Sequence, residues 1–473
     1  MTPSHTADPS RLVNYPAPAG TEPSPDFTLK VNGEAVFVYP ARVSAIPLNQ
    51  VWPGHQRPLD QTEIASFAYF DFSGKASLEI TSLKAIQQVV VRPKSYGIQP
   101  VILGNTIQFD VDHACQVVVE VNGWHHALHL FANPLETHAP QPGDPLTHYF
   151  GPGVHEIGKF QVHSGETVYI AGGAIVYGSI NANQAQDIKI CGRGILDASK
   201  FARHDAEQMI ALKGCSRVEA SGLILRDANL YAVTPDHCQD VTITNLKVIG
   251  LWRYNSDGID ICNSQHVLVQ DCFVRSFDDS LVVKGYDQRE GVKAANIEDV
   301  VFRNCVVWND WGRALELGAE TQGDTWSDIA FENIDVIHYV QRAMDIQHCD
   351  RAAISNVRFE DIRVEDAITE GAGIENPKYD PGNASQVGWL IELVIYKIMY
   401  SHDKEPGRIK NVYFKDIAVI GEDFPPSNFH GFDETHLVED VTIENLTIHG
   451  KHITSNVEGH FTVNPYVRGL KLV

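Results

Sequence analysis

The stretch DVVFRNCVV, residues 299–307, decides the fold because its pattern recurs along the C-terminal two-thirds of the chain. Each copy has an aliphatic residue, a spacer, an aromatic or aliphatic residue, a spacer, Asn or Asp, and a further aliphatic pair. The other copies are DVTITNLKV (240–248), HVLVQDCFV (266–274), DIAFENIDV (328–336), NVRFEDIRV (356–364), NVYFKDIAV (411–419) and DVTIENLTI (440–448), with weaker ones at 187–196 and 217–225. Self-similarity of this kind is the signature of a solenoid.

The spacing of the copies indicates which solenoid. Their first aliphatic residues are Ile188, Val218, Val241, Val267, Val300, Ile329, Val357, Val412 and Val441. Steps of 23–33 residues with period-2 strands and no helical pattern predict a right-handed parallel β-helix, whose turns stack about 4.8 Å apart. The step from Val357 to Val412 is about twice the others, which predicts a hidden copy near GWLIELVIYKI (388–398).

Asn or Asp recurs at one phase of the pattern, where its side chain is expected to bond the turn backbone and stack on its neighbours. These positions are Asn245, Asp271, Asn304, Asn333, Asp361, Asp416 and Asn445.

The N-terminal part has a different pattern, with short alternating strands 10–20 residues apart, such as FTLKVNGEAVFVYP and QVVVEVNG. This predicts an antiparallel β-sandwich. The predicted fold class is therefore all-β, a parallel β-helix preceded by an N-terminal antiparallel β-sandwich. The predicted parts are a flexible Pro/Ser-rich tail over 1–25, the sandwich over 26–140 and the β-helix over 141–473.

Charge and composition exclude some classes of partner. The formal net charge of −23 argues against nucleic acid, since phosphate contacts need clustered Lys and Arg. No window approaches about 18 apolar residues, so no membrane partner is expected. The N-terminus lacks the features of a secretory signal, which predicts a cytoplasmic location, or secretion if a signal has been removed. The eight cysteines form no CxxC pair and are interpreted as buried thiols.

A second strand follows each copy of the pattern, and these strands should stack into one surface. They are NLYAVTP (229–235), NSDGIDI (255–261), FDDSLVV (277–283), GRALELG (312–318) and QRAMDIQH (341–348). Their polar positions carry a column of acids and arginines. One Asp at a turn often only caps backbone N–H groups, but paired carboxylates with differently shifted pKa values are the usual machinery for splitting a glycosidic bond.

Two of these segments carry a resemblance. NSDGID (255–260) and DDSLVV (278–283), with Asp257 and Asp278 separated by 21 positions, resemble the N-T-D and D-D motifs of polygalacturonase-like glycoside hydrolases, family 28. The resemblance implies a β-helix enzyme that hydrolyses polysaccharides with inversion. It implies Asp278 as the general acid, with Asp257 and Asp279 activating a water molecule on the opposite face of the sugar. Inversion requires the acid and the base to stand about 6.5–9.5 Å apart, which leaves room for that water.

Two departures from the family bear on the substrate. Where the family has G-H-G, this chain has WGRALELGAE (311–320), with Arg313 in the place of the histidine. Where the family has R-I-K, this chain has RAM (342–344), which keeps Arg342 and replaces lysine with Met344. In the family these basic groups help to hold galacturonate carboxylates. The layout of sandwich and β-helix is also similar to the family-49 enzymes, dextranase and isopullulanase, which act on neutral α-glucans.

The predicted function is hydrolysis of α-glycosidic bonds in an oligo- or polysaccharide, pectic or, as an alternative, a neutral α-glucan. The predicted substrate-binding residues are Arg313, Glu316, Arg342, Lys284, Trp311, Asn229 and Asp345. Lys284 and Arg313 could instead pair with the acids and lower their pKa values. Other aromatic residues near the column are Trp252, Tyr254, Trp308 and Trp326, each equally suited to core packing.

No metal or cofactor is predicted, because the acids alternate with arginines and lack an oxygen-rich loop. This also argues against a Ca²⁺-dependent β-helix lyase. Exo-action is expected, with the long segment 367–407 closing one end of the cleft. The non-enzymatic alternative is a carbohydrate-binding, tailspike-like β-helix, which would need aromatic and polar subsites but no triad of acids.

Overall fold

The computed structural model describes residues 10–45, 59–203, 205, 206, 208–288, 291–368 and 388–473. These residues form β-strands and two short 3₁₀ turns, Leu59–Gln61 and Lys94–Tyr96. No helix within these ranges is long and apolar enough to cross a membrane. The prediction of an all-β chain is confirmed.

The described residues of the N-terminal part form eleven strands. They are β1 (Arg11–Asn14), β2 (Phe27–Val31), β3 (Glu34–Val36), β4 (Tyr39–Ser44), β5 (Thr62–Ser73), β6 (Ala76–Ser82), β7 (Val89–Arg92), β8 (Val101–Leu103), β9 (Thr106–Val111), β10 (Cys115–Val121) and β11 (Leu128–Pro134).

These strands form two facing sheets, as predicted. One has the order β1-β5-β11-β10-β7 with β4 also on β5, and the other has the order β3-β2-β6-β9-β8. All pairs are antiparallel except β5 with β11, which run parallel. Alternate residues such as Leu29 and Val31 point into the shared core, because successive side chains of a strand face opposite sides. Strand β1 lies within the stretch 1–25 and pairs with β5, with Leu12 against the sandwich core.

The remaining strands form the β-helix. They are β12 (Thr147–Phe150), β13 (Gly153–Val162), β14 (Thr167–Ile170), β15 (Ala174–Asn183), β16 (Gln186–Gly192), β17 (Ile195–Asp197), β18 (Gln208–Lys213), β19 (Ser216–Ser221), β20 (Ile224–Arg226), β21 (Tyr231–Asp236), β22 (Gln239–Thr244), β23 (Lys247–Ile249), β24 (Ile259–Cys262), β25 (Gln265–Gln270), β26 (Phe273–Ser276), β27 (Leu281–Gly285), β28 (Ile297–Arg303), β29 (Val306–Asn309), β30 (Arg313–Thr321), β31 (Thr325–Tyr339), β32 (Arg342–His348), β33 (Ala353–Ala367), β34 (Trp389–Ile395), β35 (Arg408–Val419), β36 (Ser427–His430), β37 (Val438–Glu444), β38 (Thr447–Ile448), β39 (Lys451–His452), β40 (Phe461–Val463), β41 (Val467–Arg468) and β42 (Lys471–Leu472).

Each turn contributes strands to three parallel sheets, here named A, B and C. Sheet A holds the repeated pattern and runs β12, β14, β16, β19, β22, β25, β28, β31, β33, β35, β37. Sheet B holds the short aliphatic strands β17, β20, β23, β26 and β29 and the C-terminal halves of β31, β33 and β35. Sheet C runs β18, β21, β24, β27, β30, β32, β34, β36, β40.

The predicted phase of the repeat is confirmed at every step. Each first aliphatic residue pairs with the next one, from Ile188 with Val218 through to Val412 with Val441. These residues line one continuous core inside the helix. Within it the rings of Phe302, Phe331, Phe359 and Phe414 stack turn on turn, with centroids 4.8–4.9 Å apart.

The prediction of a hidden copy of the repeat near residues 388–398 is wrong. Val357 pairs directly with Val412, so no turn of sheet A lies between them. The segment does form a strand, β34, but on sheet C between β32 and β36. The doubled step is one turn with a long connection, which spacing alone cannot distinguish from two ordinary turns.

The recurrent Asn/Asp positions all adopt left-handed backbone conformations, with φ between 51° and 56°. Asn and Asp tolerate this conformation better than other side chains. The predicted stacking is present where Asn304 Nδ2 donates to Asp271 Oδ1 (3.1 Å), Asn333 to Asn304 (2.8 Å) and Asn445 to Asp416 (2.6 Å).

The sandwich packs on the outer face of sheet B. Residues of successive turns, including Ile224, Phe273 and Ile337, lie in one cluster with Phe67 and Phe131 of the sandwich. The contact covers sheet B and leaves sheet C outside it. All eight cysteines are buried and unpaired, which confirms their interpretation as thiols.

Candidate active site

Three carboxylates meet where sheet B passes into sheet C. Asp257 lies in the turn before β24, and Asp278 and Asp279 lie in the turn before β27. These turns are stacked, because the backbone N–H of Gly258 donates to the Asp279 carbonyl (2.8 Å) and Ile259 pairs with Leu281. A Cβ atom at Gly258 would lie 2.3 Å from the Ser280 carbonyl oxygen, so only glycine allows this approach.

Adjacent acids are possible here because β27 begins only at Leu281, and the preceding backbone need not alternate. Asn309 Nδ2 and Ser276 Oγ both donate to the Asp278 carbonyl, each at 2.6 Å, and fix this bend. The side of sheet C that carries these acids is here called the cleft, and Asp278 and Asp279 are each only 7 % exposed.

Two cations face the acids. The Lys284 ammonium lies 2.7 Å from Asp257 Oδ2 and 3.3 Å from Asp279 Oδ2. The Arg313 backbone N–H donates to Asp279 Oδ1 (3.2 Å), and its Nη1 lies 3.9 Å from the same oxygen. Of the two roles predicted for Lys284 and Arg313, pairing with the acids is therefore the one observed.

These contacts separate the pKa values of the acids. Burial raises the pKa of Asp278 well above its usual range, and the negative charges of Asp279 and Asp257 act in the same direction. Burial also acts to raise the pKa of Asp279, but the Lys284 and Arg313 charges hold it below its usual value. Burial raises the pKa of Asp257 to about 7, although the Lys284 ammonium opposes this shift. The surroundings therefore favour the protonated form of Asp278 and the ionised form of Asp279.

A row of further acids continues along sheet C. Asp260, Glu316, Asp345 and Glu392 occupy equivalent outward positions on β24, β30, β32 and β34. Arg313 Nε lies 2.9 Å from Asp345 Oδ2 and 3.5 Å from Glu316 Oε1. The next turn pairs Arg342 with Glu392, which also accepts from Asn428 Nδ2 (2.9 Å).

Glu392 is not among the site residues predicted from the sequence, although the local pattern around it contains a signal. In WLIELVI, Glu392 is the one charged residue among inward and outward aliphatic residues. The predicted hidden copy of the repeat would place this segment on sheet A, so that prediction does not align Glu392 with Asp345. Asp260 lies in the same row, where burial raises its pKa well above the usual range.

The remaining predicted binding residues lie on the cleft wall. Trp311 is half-buried and stacks on Phe277, with ring centroids 5.4 Å apart. Asn229 is buried and donates to the Ala202 carbonyl, which anchors the loop before β18. In that loop Arg203 Nη1 donates to the Tyr254 carbonyl (2.8 Å), a contact that no sequence pattern predicted.

Two of the aromatic candidates are not cleft residues. Trp326 faces the helix core, and its indole N–H donates to the Gln322 carbonyl at 3.0 Å. Trp308 is buried between sheet B and the sandwich. Trp252 is also buried, with the Arg253 guanidinium 4.4 Å from its ring centre. For Trp308 and Trp326, core packing is therefore the alternative that the structure shows.

No cluster of His, Cys, Asp and Glu suited to a metal ion occurs in the described ranges. The segment proposed to close the cleft, 367–407, lies partly outside them, since residues 369–387 are not described.

The fold and the triad together define a parallel β-helix with an acid pair of the kind used by glycosidases. The model of "Glycosyl hydrolases family 28" matches residues 175–399, the region that carries all three acids. This match covers slightly less than half of the chain and bears out the resemblance to family 28 in that region.

Individual relatives agree with this class. A probable polygalacturonase of Arabidopsis thaliana is 31% identical over 100 residues, or 20% of this chain. The chain spans about a fifth to a third of the length of the curated relatives it matches. Dex49A from Penicillium minioluteum has a similar fold, with a TM-score of 0.69 at 15% identity over 98% of this chain and 96% of Dex49A. A hyperthermoactive exopolygalacturonase from Thermotoga maritima matches with a TM-score of 0.52 at 16% identity, over 68% of this chain and 82% of that structure.

Proposed function

We propose that the chain hydrolyses α-glycosidic bonds of a pectic, galacturonide-containing oligo- or polysaccharide with inversion at the anomeric carbon. The observation that carries the proposal is the asymmetry of the triad. Lys284 contacts Asp257 and Asp279, whereas the described residues offer Asp278 no ion pair. An acid and a base with opposite protonation states thus face the same cleft.

The roles follow from these states. Asp278 gives its proton to the glycosidic oxygen as the bond from that oxygen to the anomeric carbon breaks. Asp279, helped by Asp257, takes a proton from a water molecule whose oxygen attacks the opposite face of the sugar. One proton enters and one leaves, so the triad returns to its starting state after a proton exchange with solvent.

The pectic substrate is supported by the family match and by the polygalacturonase among the relatives. The fold shared with an exopolygalacturonase supports removal of sugars from a chain end.

A neutral α-glucan is the second candidate, and the ion pairs favour it. Lys284 and Arg313 are already paired with carboxylates, and so is Arg342 with Glu392. A galacturonate carboxylate would have to displace one of these acids and would meet an acidic cleft. The similarity to Dex49A over nearly the whole chain is in keeping with this candidate.

The test compares three proteins on oligogalacturonides and α-glucans: wild type, Asp278→Asn, and the matched control Asp299→Asn. Asp299 is exposed on sheet A and has a left-handed backbone that Asn also adopts. We expect wild type and control to release reducing sugar from one class of substrate, and Asp278→Asn to lose about 10²-fold or more.

Proton NMR of the first product formed reports inversion or retention. Retention would contradict the assigned roles. Binding of a sugar without turnover by wild type would establish the carbohydrate-binding alternative instead.

A further inference from the structure

Glu316 has no role in the steps above, yet it is fully buried beside the triad. Its neighbours Leu315 and Leu317 point into the helix core, so its side chain faces the cleft side of sheet C. The residue is fully buried, and neither carboxyl oxygen accepts a hydrogen bond from any described residue. A carboxylate left in this condition would be strongly destabilising.

The partner of Glu316 is another acid. Asp279 and Glu316 flank the same Arg313 side chain, with Asp279 Oδ1 3.9 Å from Nη1 and Glu316 Oε1 3.5 Å from Nε, and interaction with Glu316 lowers the pKa of Asp279. Two carboxyl groups can share a hydrogen bond only if one of them carries the proton. The surroundings decide which one.

The negative charge is better placed on Asp279. Asp279 is contacted by the Lys284 ammonium at 3.3 Å and by the Arg313 backbone N–H at 3.2 Å. Glu316 has only the Arg313 Nε at 3.5 Å, and this group lies closer to Asp345, at 2.9 Å. The proton therefore belongs on Glu316.

The charged groups facing this pair come from several elements: Lys284 on β27, Asp257 and Asp278 in the turns before β24 and β27, Arg313 on β30 and Asp345 on β32.

We propose that Glu316 is a permanently protonated carboxyl group that donates a hydrogen bond to Asp279, and so positions this residue and keeps it ionised as the base. The proposal rests on the proposed function for its catalytic meaning, though not for the location of the proton. Glu316 is a positioning residue, since it acts on the reaction through Asp279. Burial and the Asp279 charge raise the pKa of Glu316 well above its usual range, in agreement with this role.

The location of the proton is tested without any substrate, by infrared difference spectra of wild type against Glu316→Gln near pH 7. We expect the variant to lose the C=O band of one protonated carboxyl group. The matched control is Glu298→Gln, an exposed acid on β28, which should lose carboxylate bands. If Glu316→Gln loses carboxylate bands as the control does, the proposal is overturned.

The effect on the base is tested with the active enzyme. Glu316→Gln keeps a donor and should retain kcat within about threefold, with the acidic limb of the kcat/KM profile unmoved. Glu316→Met has a similar length but no donor, so the pKa of Asp279 should rise and the acidic limb should move up by about one pH unit. A folded Glu316→Met protein with the wild-type profile would overturn the positioning role. Absence of hydrolysis by wild type would overturn the proposed function, while the infrared spectra would still decide where the proton lies.

Discussion

Two groups of buried charges lie three residues apart on the same turns, and they are built in opposite ways. Arg275 and Asp310 pair at the boundary between sheet B and the sandwich, while Asp278, Asp279 and Arg313 follow them into the cleft. In the boundary pair, both oxygens of Asp310 accept hydrogen bonds, from Arg275 Nε (3.1 Å) and from the Trp308 indole N–H (2.8 Å). The guanidinium also lies 3.8 Å from the centre of the Trp308 ring.

The cleft group has more acids than cations. Oxygens of Asp257, Asp260, Glu316 and Asp345 are buried without a hydrogen bond from the described residues. Saturated pairs such as Arg275 with Asp310 hold parts of a fold together, because every charge has a partner. A group with surplus acids is costly to bury and is retained where shifted pKa values serve chemistry.

The largest expected effect comes from exchanging one acid in each group. Asp310→Asn leaves the buried Arg275 without its counter-charge, which should lower the free energy of unfolding by about 3–5 kcal/mol. Asp279→Asn should leave stability nearly unchanged and abolish most of the activity. Urea denaturation and kcat/KM measured on both variants give the result. Equal losses of stability would show that the two groups do not differ in kind.

An intermediate effect is expected from Lys284→Met, which tests how the cations of the cleft group shift the pKa values of its acids. Lys284 favours the ionised forms of Asp257 and Asp279, so its removal should raise both pKa values by about 1–3 units. Since the base must be ionised, the acidic limb of the kcat/KM profile should move to higher pH. The profile of Arg303→Met, an exposed cation on β28, should match wild type. An unmoved acidic limb in Lys284→Met would contradict the roles of both acids.

The smallest expected effect concerns Trp311, at the edge of the cleft group. If its half-buried ring stacks on a sugar, Trp311→Leu should raise KM by about 2- to 10-fold and leave kcat nearly unchanged. If it serves only to pack on Phe277, the melting temperature should fall and KM should stay constant. Kinetics and thermal melting of the same sample distinguish these outcomes.

The repeat could be predicted because local pattern determines it. Val300, Phe302 and Asn304 each recur at a fixed phase, for core packing or for a left-handed turn, and stacking preserves that phase. Asp257, Asp278 and Asp279 could be found because they are acids at the entrances of consecutive second strands, whose core-facing residues are aliphatic.

What failed depends on contacts between distant segments. Trp308 resembles a cleft residue until the sandwich is known to cover sheet B. Glu392 joins the row of acids only once the long connection before it is recognised as part of a single turn. The proton on Glu316 follows from its position opposite Asp345 and beside Asp279, which no spacing reveals.

The contact between the sandwich and sheet B has a consequence for the order in which parts of the molecule unfold. The shared cluster runs through Ile175, Ile195, Ile224, Ile249, Phe273, Val306 and Ile337. The sandwich therefore stabilises all of these turns together, including the ones that carry the triad. The turns around Val412 and Val441 lie outside this cluster and pair with neighbouring turns of the β-helix. In an unsupported solenoid, opening would begin at either end. Here we expect amide hydrogen exchange to be fastest at the C-terminal turns and to slow abruptly at the first turn that the sandwich covers. The turns that carry the triad would then unfold only when the sandwich separates from sheet B.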